Sequence, residues 1–177
     1  GYVGTFPVDK VYVAVPVGDG RGVGNGVTHA TDPPSINVRV GHRVSQHEFD
    51  EDWVLVHEMA HLYVPSQPRR YRWFEEGFAV YVEAMARMQA GYKSEQATWA
   101  DIDAGLHHGE PLPGEGTIDG TRRWGRVYWS GLAEMLKVDE QRKAHDGSGW
   151  IAIIRDWQRK GWDIRSSVAF DELWPGY

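Results

Sequence analysis

Residues 57–61 form the pattern H-E-x-x-H, in which two histidines are four positions apart and a glutamate follows the first. On an α-helix such positions lie on one face, about 6 Å apart, so both imidazoles project in the same direction. The apolar residues 53–56 precede the pattern and indicate a largely buried helix, where unpaired His and Glu side chains would be costly. The fold therefore has to place partners opposite this helix.

Two imidazoles on one helical face can bind a single Zn²⁺ ion at about 2.0 to 2.1 Å, which makes His57 and His61 candidate metal ligands. Glu58 would then lie beside the ion, where a general base for an ion-bound water belongs. A catalytic zinc site also needs a third protein ligand and one open position. The chain has no cysteine, so His, Glu or Asp must supply that ligand. Two ordinary histidines on an exposed helix are the alternative interpretation.

Glu75 and Glu76 form an acidic pair within an apolar segment that predicts a helix from about residue 73 to residue 88 or 90. Glu76 is a candidate for the third metal ligand. Glu83 lies about two turns further on the same helical face, where its carboxylate could accept a hydrogen bond from an imidazole N–H. A surface acid is the alternative for Glu83. We interpret Glu75 as a solvated acid of the first helical turn.

The pattern W-x-x-E-G-x-A-x-Y-x-E at residues 73–83 follows H-E-x-x-H. Together the two motifs resemble the gluzincin metallopeptidases, of the aminopeptidase N and glycyl aminopeptidase type, and the shorter peptidase MA-like domains. The likeness covers about residues 53–138. It implies a zincin-like α+β fold, with a small twisted N-terminal β-sheet packed on the active-site helix and a mostly helical C-terminal lobe.

In that family, zinc is bound by the two motif histidines and by the glutamate that precedes the glycine, and a glutamate seven residues later supports the site. By resemblance, His57, His61 and Glu76 bind Zn²⁺, and Glu83 is the supporting residue. The resemblance further implies a zinc-dependent metallopeptidase in which Glu58 is the general base. Peptides or proteins would be its substrates.

A third likeness lies at residues 128–131, which match a Y-x-x-G motif at the start of a later helix. In the family this tyrosine stabilises the transition state, so the resemblance gives Tyr128 a catalytic role. The chemistry is consistent, because water attack on an amide creates a negative oxygen and a phenol donor beside it is worth about 3 kcal/mol or more. A packing tyrosine in an aromatic run with Trp124 and Trp129 is the alternative.

Two departures from the family limit what the resemblance implies. Only residues 62–75 separate His61 from Glu76, a shorter interval than in the large aminopeptidases and closer to that of the compact members. Residues 24–30 lack the glutamate that holds the free amine of an aminopeptidase substrate, so aminopeptidase specificity is not implied. Two alternatives stay open, a catalytically silent peptide-binding module and a zinc hydrolase of a non-peptide substrate.

Alternating Val-rich segments predict strands at residues 10–17 and 35–40, the second with Ile36, Val38 and Val40 on one face. We expect the second strand to lie at an edge of the sheet, where it could pair with an extended substrate.

Two glycine-rich segments, residues 18–26 and 105–120, predict loops, and the histidine pair at 107–108 in the second could contact substrate. Further helices are predicted at residues 53–63, 124–138, about 150–157 and 168–173. Strands followed by helices favour an α+β fold. We expect one domain over residues 1–177, mainly β to residue 48 and mainly α from residue 49.

Composition narrows the function classes. The net charge of −6 disfavours a general nucleic-acid binder, and no apolar run reaches the length of a membrane span. The absence of cysteine excludes disulfides and thiolate chemistry. Because the chain begins with Gly1 rather than Met, we expect its natural start to be missing. Localisation stays open, with an extracytoplasmic compartment slightly favoured, and so does the oligomeric state. The histidines interpreted as ordinary surface residues are His29, His42, His47 and His145.

Overall fold

All strands precede all helices among residues 2–174, the part of the chain that the computed structural model describes. The strands are β1 (Tyr12–Ala14), β2 (Val17–Gly18), β3 (Val23–His29) and β4 (Ser35–Gly41). The helices are α1 (Gln46–Asp50), α2 (Val54–His61), α3 (Arg72–Gln89), α4 (Glu95–Gly109), α5 (Gly131–Asp146), α6 (Gly149–Arg159) and α7 (Phe170–Leu173). A 3₁₀ turn (Arg69–Tyr71) precedes α3, and a π-helical segment (Arg126–Ser130) precedes α5. This order confirms the α+β class.

The strand β4 lies in the middle of the sheet. It pairs in parallel with β1 and β2 along one side and antiparallel with β3 along the other. Ile36, Val38 and Val40 are buried, which confirms their predicted common face. The expectation that residues 35–40 form an edge strand is wrong. One edge of the sheet is formed by β1 and β2 and the other by β3, and no strand in residues 2–174 pairs with the outer side of β3.

The glycine-rich segment 18–26 is only partly a loop, because β3 begins at Val23. Its glycines have little intrinsic strand preference, and pairing with β4 supplies the backbone partners instead. The pairing is irregular between Val23 and Gly26. The strand predicted at residues 10–17 is also interrupted, since Pro16 has no N–H to donate within a sheet.

Helices α2 and α3 lie where the sequence predicts them. Asp52 caps α2, since its Oδ2 atom accepts hydrogen bonds from the backbone N–H groups of Val54 at 2.9 Å and Leu55 at 3.4 Å. Helix α3 is followed by Gly91 in the left-handed conformation, with φ of 79°. Helix α2 contacts β3 and β4 on one side and α3 on another. The helix that carries the H-E-x-x-H motif therefore packs between the sheet and α3.

Helix α4 is absent from the sequence prediction, and its last turn occupies the start of the predicted loop 105–120. Its buried positions have helical spacing but only one large apolar member: Thr98, Ile102, Gly105 and Gly109. A Cβ on Gly105 would overlap the ring of Trp129, so close packing explains the glycine. A buried face made of small residues leaves no hydrophobic periodicity in the sequence.

The C-terminal helices follow the predictions with one change of geometry. The helix predicted at 124–138 consists of the π-helical segment followed by α5, which continues to Asp146. Helices α6 and α7 lie at their predicted places, and α6 is followed by Gly161 with φ of 71°. Helix α1, which Ser45 and Glu48 stabilise through a reciprocal capping box, was not predicted.

Two apolar clusters fix the motif helix in space. Phe74 and Phe78 of α3 pack against Trp150 and Trp157 of α6, with ring centroids between 5.7 and 6.5 Å apart. A second cluster fills the space between the sheet and α2. The sheet holds α2 from one side and the aromatic core holds α3, so the facing side chains of these two helices are set by well-packed apolar surfaces.

None of the helices in residues 2–174 combines the length and the apolar character needed to cross a membrane.

Candidate functional site

The structure brings together the three side chains predicted to bind a metal. His57 and His61 project from α2, and Glu76 projects from the facing side of α3. The Oε2 atom of Glu76 lies 3.2 Å from Nε2 of His57 and 3.6 Å from Nε2 of His61. One potential ligand atom from each residue lies within 4.8 Å of the other two. This is the only group of three or more His, Asp or Glu side chains in residues 2–174 that could hold a metal ion in this way.

Burial and charge make this cluster electrostatically strong. Burial alone would raise the pKa of Glu76, but hydrogen bonds and charge interactions with His57 and His61 outweigh it and lower that pKa far below its usual range. Burial would lower the pKa of His61, and the Glu76 carboxylate reverses this and raises it. The carboxylate is therefore ionised and faces both imidazole nitrogens.

The two oxygens of Glu76 have separate partners. Oε1 accepts hydrogen bonds from Arg72, from Nε at 3.2 Å and from Nη2 at 3.1 Å, while Oε2 faces the imidazoles. Two imidazole nitrogens and one carboxylate oxygen form a donor set that suits Zn²⁺ and other divalent transition metals. The residues present therefore fit a metal ion, which His57, His61 and Glu76 would hold.

Glu83 lies deeper along α3 and is 9% exposed. Its Oε1 atom accepts a hydrogen bond at 2.9 Å from Nη1 of Arg87, whose Nη2 donates to the carbonyl oxygen of Glu51 at 2.8 Å. Burial raises the pKa of Glu83, and Arg87 opposes this. The Nδ1 atom of His57 is buried and has no hydrogen-bond partner among the described residues. The structure thus contains no hydrogen bond from an imidazole to Glu83, and the supporting role of Glu83 stays a prediction.

Glu58 is buried between α2 and the edge strand β3. Thr28 of β3 places its hydroxyl 2.6 Å from Oε2 of Glu58, where it can donate a hydrogen bond. Gly26 leaves the space for the carboxylate, because a Cβ at this position would lie 2.7 Å from Oε1 of Glu58. Only glycine allows β3 to approach α2 so closely, so the strand backbone positions the predicted general base.

Tyr128 lies in the π-helical segment, in contact with the metal-site cluster. Its ring stacks on that of His57, with centroids 5.7 Å apart and an angle of 9° between the planes. It also stacks with the ring of Trp124, with centroids 5.3 Å apart. Burial raises the pKa of the Tyr128 phenol well above its usual value, and the charge of Glu76 raises it further. The phenol is therefore a hydrogen-bond donor at neutral pH. Single π-helical turns within α-helices are frequent at functional sites.

A cavity of about 370 Å³ opens beside these groups. It is lined from the sheet side by Val27 and Thr28, and from the helical side by Gln67 and Glu75. The interpretation of Glu75 as a solvated acid is wrong: its side chain is half-buried, and its Oε1 atom accepts a hydrogen bond at 2.8 Å from the N–H of Gln67. Burial raises the pKa of Glu75, and the Gln67 N–H opposes this.

A second cavity, of about 320 Å³, lies on the far side of Tyr128. Its walls are mainly apolar and include Trp53, Trp124 and Trp129, with the Glu83–Arg87 ion pair among its lining groups. Since Tyr128 lines both cavities, this pocket adjoins the candidate active site.

Two site residues were missed by the sequence analysis. Arg72 precedes Glu76 by four positions, a spacing that favours an ion pair on a helix and could have indicated the contact. Thr28 belongs to a different segment from Glu58, and only the pairing of β3 with β4 reveals their proximity. No local pattern carries that information.

The remaining histidines lie outside the metal cluster. His29, His42, His47 and His145 are exposed, as predicted. His107 and His108 are exposed in the last turn of α4 rather than in a loop, and neither lines the cavity of the candidate active site.

Comparison with known proteins returned no match: no protein-family model matches the chain, and no curated protein does.

Proposed function

We propose that this chain is a zinc-dependent metallopeptidase with a zincin-like fold. The observation that carries the proposal is the convergence of Nε2 of His57, Nε2 of His61 and Oε2 of Glu76 from two buried helices. A buried carboxylate beside one buried and one half-buried imidazole is costly unless a charge or a metal balances it. Glu58 and Tyr128 line the same cavity as His61 and Glu76, which places a base and a hydrogen-bond donor beside the proposed metal site.

Each of these side chains has a distinct role in the proposed reaction. When bound, Zn²⁺ would lower the pKa of a water ligand toward about 7 and polarise the substrate carbonyl. Glu58 receives the proton that the attacking water releases and delivers it to the leaving amine. Tyr128, whose phenol is protonated at neutral pH, donates a hydrogen bond to the oxygen that becomes negative. Arg72 binds Oε1 of Glu76 and thereby keeps Oε2 directed at the imidazoles.

The free side of β3 supports a peptide as the substrate. Val27 and Thr28 line the cavity, and the backbone of this edge strand has no partner on that side within residues 2–174. An extended peptide can add to such an edge through main-chain hydrogen bonds, which bind the backbone whatever its side chains. The substrate-pairing role first expected for residues 35–40 therefore moves to β3.

The decisive experiment compares wild type with Glu58→Gln. We expect both proteins to bind about one equivalent of zinc, and Glu58→Gln to hydrolyse a peptide library at least about 10²-fold more slowly, because it lacks the general base. Zinc content is measured by atomic emission and cleavage by mass spectrometry. Glu140→Gln, an exposed glutamate of α5, is the matched control and should retain full activity.

Three results would contradict parts of the proposal. Full peptidase activity of Glu58→Gln would remove Glu58 as the base. Wild-type protein that binds zinc but cleaves no peptide would favour the silent peptide-binding module or a hydrolase of another substrate. Wild-type protein that binds no zinc would remove the metal centre itself.

A further inference from the structure

A cavity of about 230 Å³ next to the candidate active site is lined by arginines. Arg69 and Arg70 come from the 3₁₀ turn, Arg72 comes from the start of α3, and Arg122 comes from the loop before the π-helical segment. Two chain segments that are far apart in sequence thus contribute positive charge to one concave surface. The chain as a whole has a net charge of −6, so this concentration of arginines is a local exception.

Most of these arginines lack an acidic partner. Within residues 2–174, Arg72 forms an ion pair with Glu76, whereas Arg69, Arg70 and Arg122 form none. By contrast, the nearby Arg123 and Arg126 both form ion pairs with Glu115, at 3.0 and 3.2 Å. Three guanidinium groups without an acidic partner therefore lie around this one cavity.

Hydrogen bonds fix the two segments against each other. The N–H of Gly120 donates to the carbonyl oxygen of Arg70 at 2.9 Å. The indole Nε1 of Trp73 donates to Oδ1 of Asp119 at 2.7 Å. These contacts place Arg122 beside the 3₁₀ turn despite the repulsion between like charges. A bound anion would relieve that repulsion.

We propose that the arginine cavity binds a carboxylate group of the peptide substrate, an inference that rests on the proposed peptidase function. Arg72 lines both this cavity and the cavity of the candidate active site, so a peptide in the cleft can extend into it. The planar guanidinium group matches a carboxylate through paired hydrogen bonds. The carboxylate belongs either to the C-terminus of the substrate or to an acidic side chain near the cleaved bond.

Peptide binding to the full chain carrying Glu58→Gln tests the inference without turnover. The probes are an N-acetylated alanine-rich pentapeptide with a free C-terminal carboxylate and the same peptide as its amide. A second pair consists of C-terminal amides that contain one Glu or one Gln. We expect the carboxylate member of one pair to bind about tenfold more tightly in calorimetry, and that pair identifies the source of the carboxylate. The difference should shrink in concentrated NaCl.

The variants Arg69→Gln and Arg122→Gln, combined, should reduce that preference to less than about threefold. Arg155→Gln changes the net charge equally per substitution, on the exposed surface of α6 outside the cavity, and should leave the preference intact. Equal dissociation constants within both pairs, no measurable binding of any probe, or the same loss in Arg155→Gln would overturn the inference.

Hydrolysis of the amide peptides by wild type separates this inference from the proposed function. If these peptides are cleaved while carboxylate and amide bind equally, the cavity is not a carboxylate site and the peptidase stands. If no peptide is cleaved while the carboxylate is preferred, the cavity is a carboxylate site and the peptidase assignment fails.

Discussion

Glycine at position 26 has a consequence for the residue it faces. A Cβ there would lie 2.7 Å from both Oε1 of Glu58 and Cγ1 of Val54. The main chain of β3 cannot simply shift away, because its pairing with β4 holds it in place. Glu58 is the more mobile of the two side chains, so it would be displaced from its hydrogen bond with Thr28.

Gly26→Ala should therefore lower the proposed peptidase activity by about 10²-fold without changing the zinc content expected of the wild type, since a displacement of about 1 Å is enough for such a loss. Gly24→Ala is a control on the same strand, because its Cβ would meet the carbonyl oxygen of Arg39 at an ordinary 3.4 Å. Steady-state kinetics and zinc content of both variants test the prediction. Equal activities of the two variants would show that β3 does not position Glu58.

Tyr128→Phe isolates the phenol from the ring. The stacking of the ring on His57 is retained, and only the hydroxyl proposed to donate to the developing oxyanion is removed. We expect kcat to fall by about 10²-fold to 10³-fold, with little change in KM, because the hydroxyl acts in the transition state. A kcat equal to that of wild type would leave Tyr128 as a packing residue.

At the residue scale, the sequence is sufficient to predict which side chains of a single helix lie on the same face. His57 and His61 share a helical face by spacing alone, and the structure places Glu76 opposite them. The environment of each group depends on contacts between segments. Helical spacing predicts a solvated Glu75 and cannot show that the backbone N–H of Gln67 donates to its carboxylate.

The crossing of α3 and α5 is a contact between backbones. Gly77 of α3 and Gly131 of α5 face each other, and a Cβ on Gly77 would overlap the main chain of Gly131. A side chain at either position would force the helices apart, and neither helix can move freely because both belong to the aromatic core.

Gly77→Ala should lower the free energy of unfolding by about 1 to 3 kcal/mol or more, as overpacking does in other cores. Urea unfolding monitored by circular dichroism measures this loss. Gly116→Ala is the control, since no atom lies within 4 Å of its Cβ position and its φ is not positive. A loss in Gly77→Ala no larger than in Gly116→Ala would mean that the helix crossing can widen without cost.

At the element scale, the sequence predicts the helices whose apolar residues recur with helical periodicity. Helices α2, α3 and α6 have apolar stripes and clear ends, and they were found. The sequence pattern does not predict helix α4, because the buried face of this helix consists largely of small residues, one of which, Gly105, allows close contact with Trp129. The position of β4 within the sheet was also wrong, because strand order depends on which other strands pair with it and not on its own alternation.

Within the segment between α4 and α5, one carboxylate accepts hydrogen bonds from several donors. Glu115 accepts hydrogen bonds from Arg123 at 3.0 Å, from Arg126 at 3.2 Å and from the N–H of Leu112 at 3.0 Å. The Arg123 hydrogen bond, followed by that of the Leu112 N–H, lowers the pKa of Glu115 from 4.5 to about 2.

This lowered pKa predicts a pH dependence of stability. The folded protein stabilises the ionised form of Glu115 more than the unfolded chain does. The contribution of Glu115 to the free energy of unfolding is therefore complete above pH 4.5 and is lost as the pH falls toward about 2. In Glu115→Gln the free energy of unfolding should fall less steeply over that interval than in wild type. Urea unfolding at several pH values measures the slope, with Glu140→Gln as the control. A wild-type slope in Glu115→Gln would show that the Arg123 and Arg126 contacts do not persist in solution.

At the scale of the whole molecule, the α+β class follows from the order of the elements, and the sequence was enough for it. The sequence could not predict the arginine cavity. Arg122 lies near Arg69 because hydrogen bonds of Gly120 and Asp119 hold the loop against the 3₁₀ turn and α3. Surfaces assembled from distant segments depend on the complete chain path, which no local pattern specifies.

The bare contact between Gly77 and Gly131 also determines what can vary around the proposed reaction centre. Glu76 is the neighbour of one glycine, and Tyr128 lies three positions before the other, so this contact determines how far apart the main-chain positions of Glu76 and Tyr128 lie. The lining of the cleft is made by side chains such as those of Val27 and Gln67. Substitutions in descendants of this protein, or in designed variants, can thus change the residues that line the cleft, and with them the selectivity, while the main-chain positions that carry the proposed reacting groups stay equally far apart.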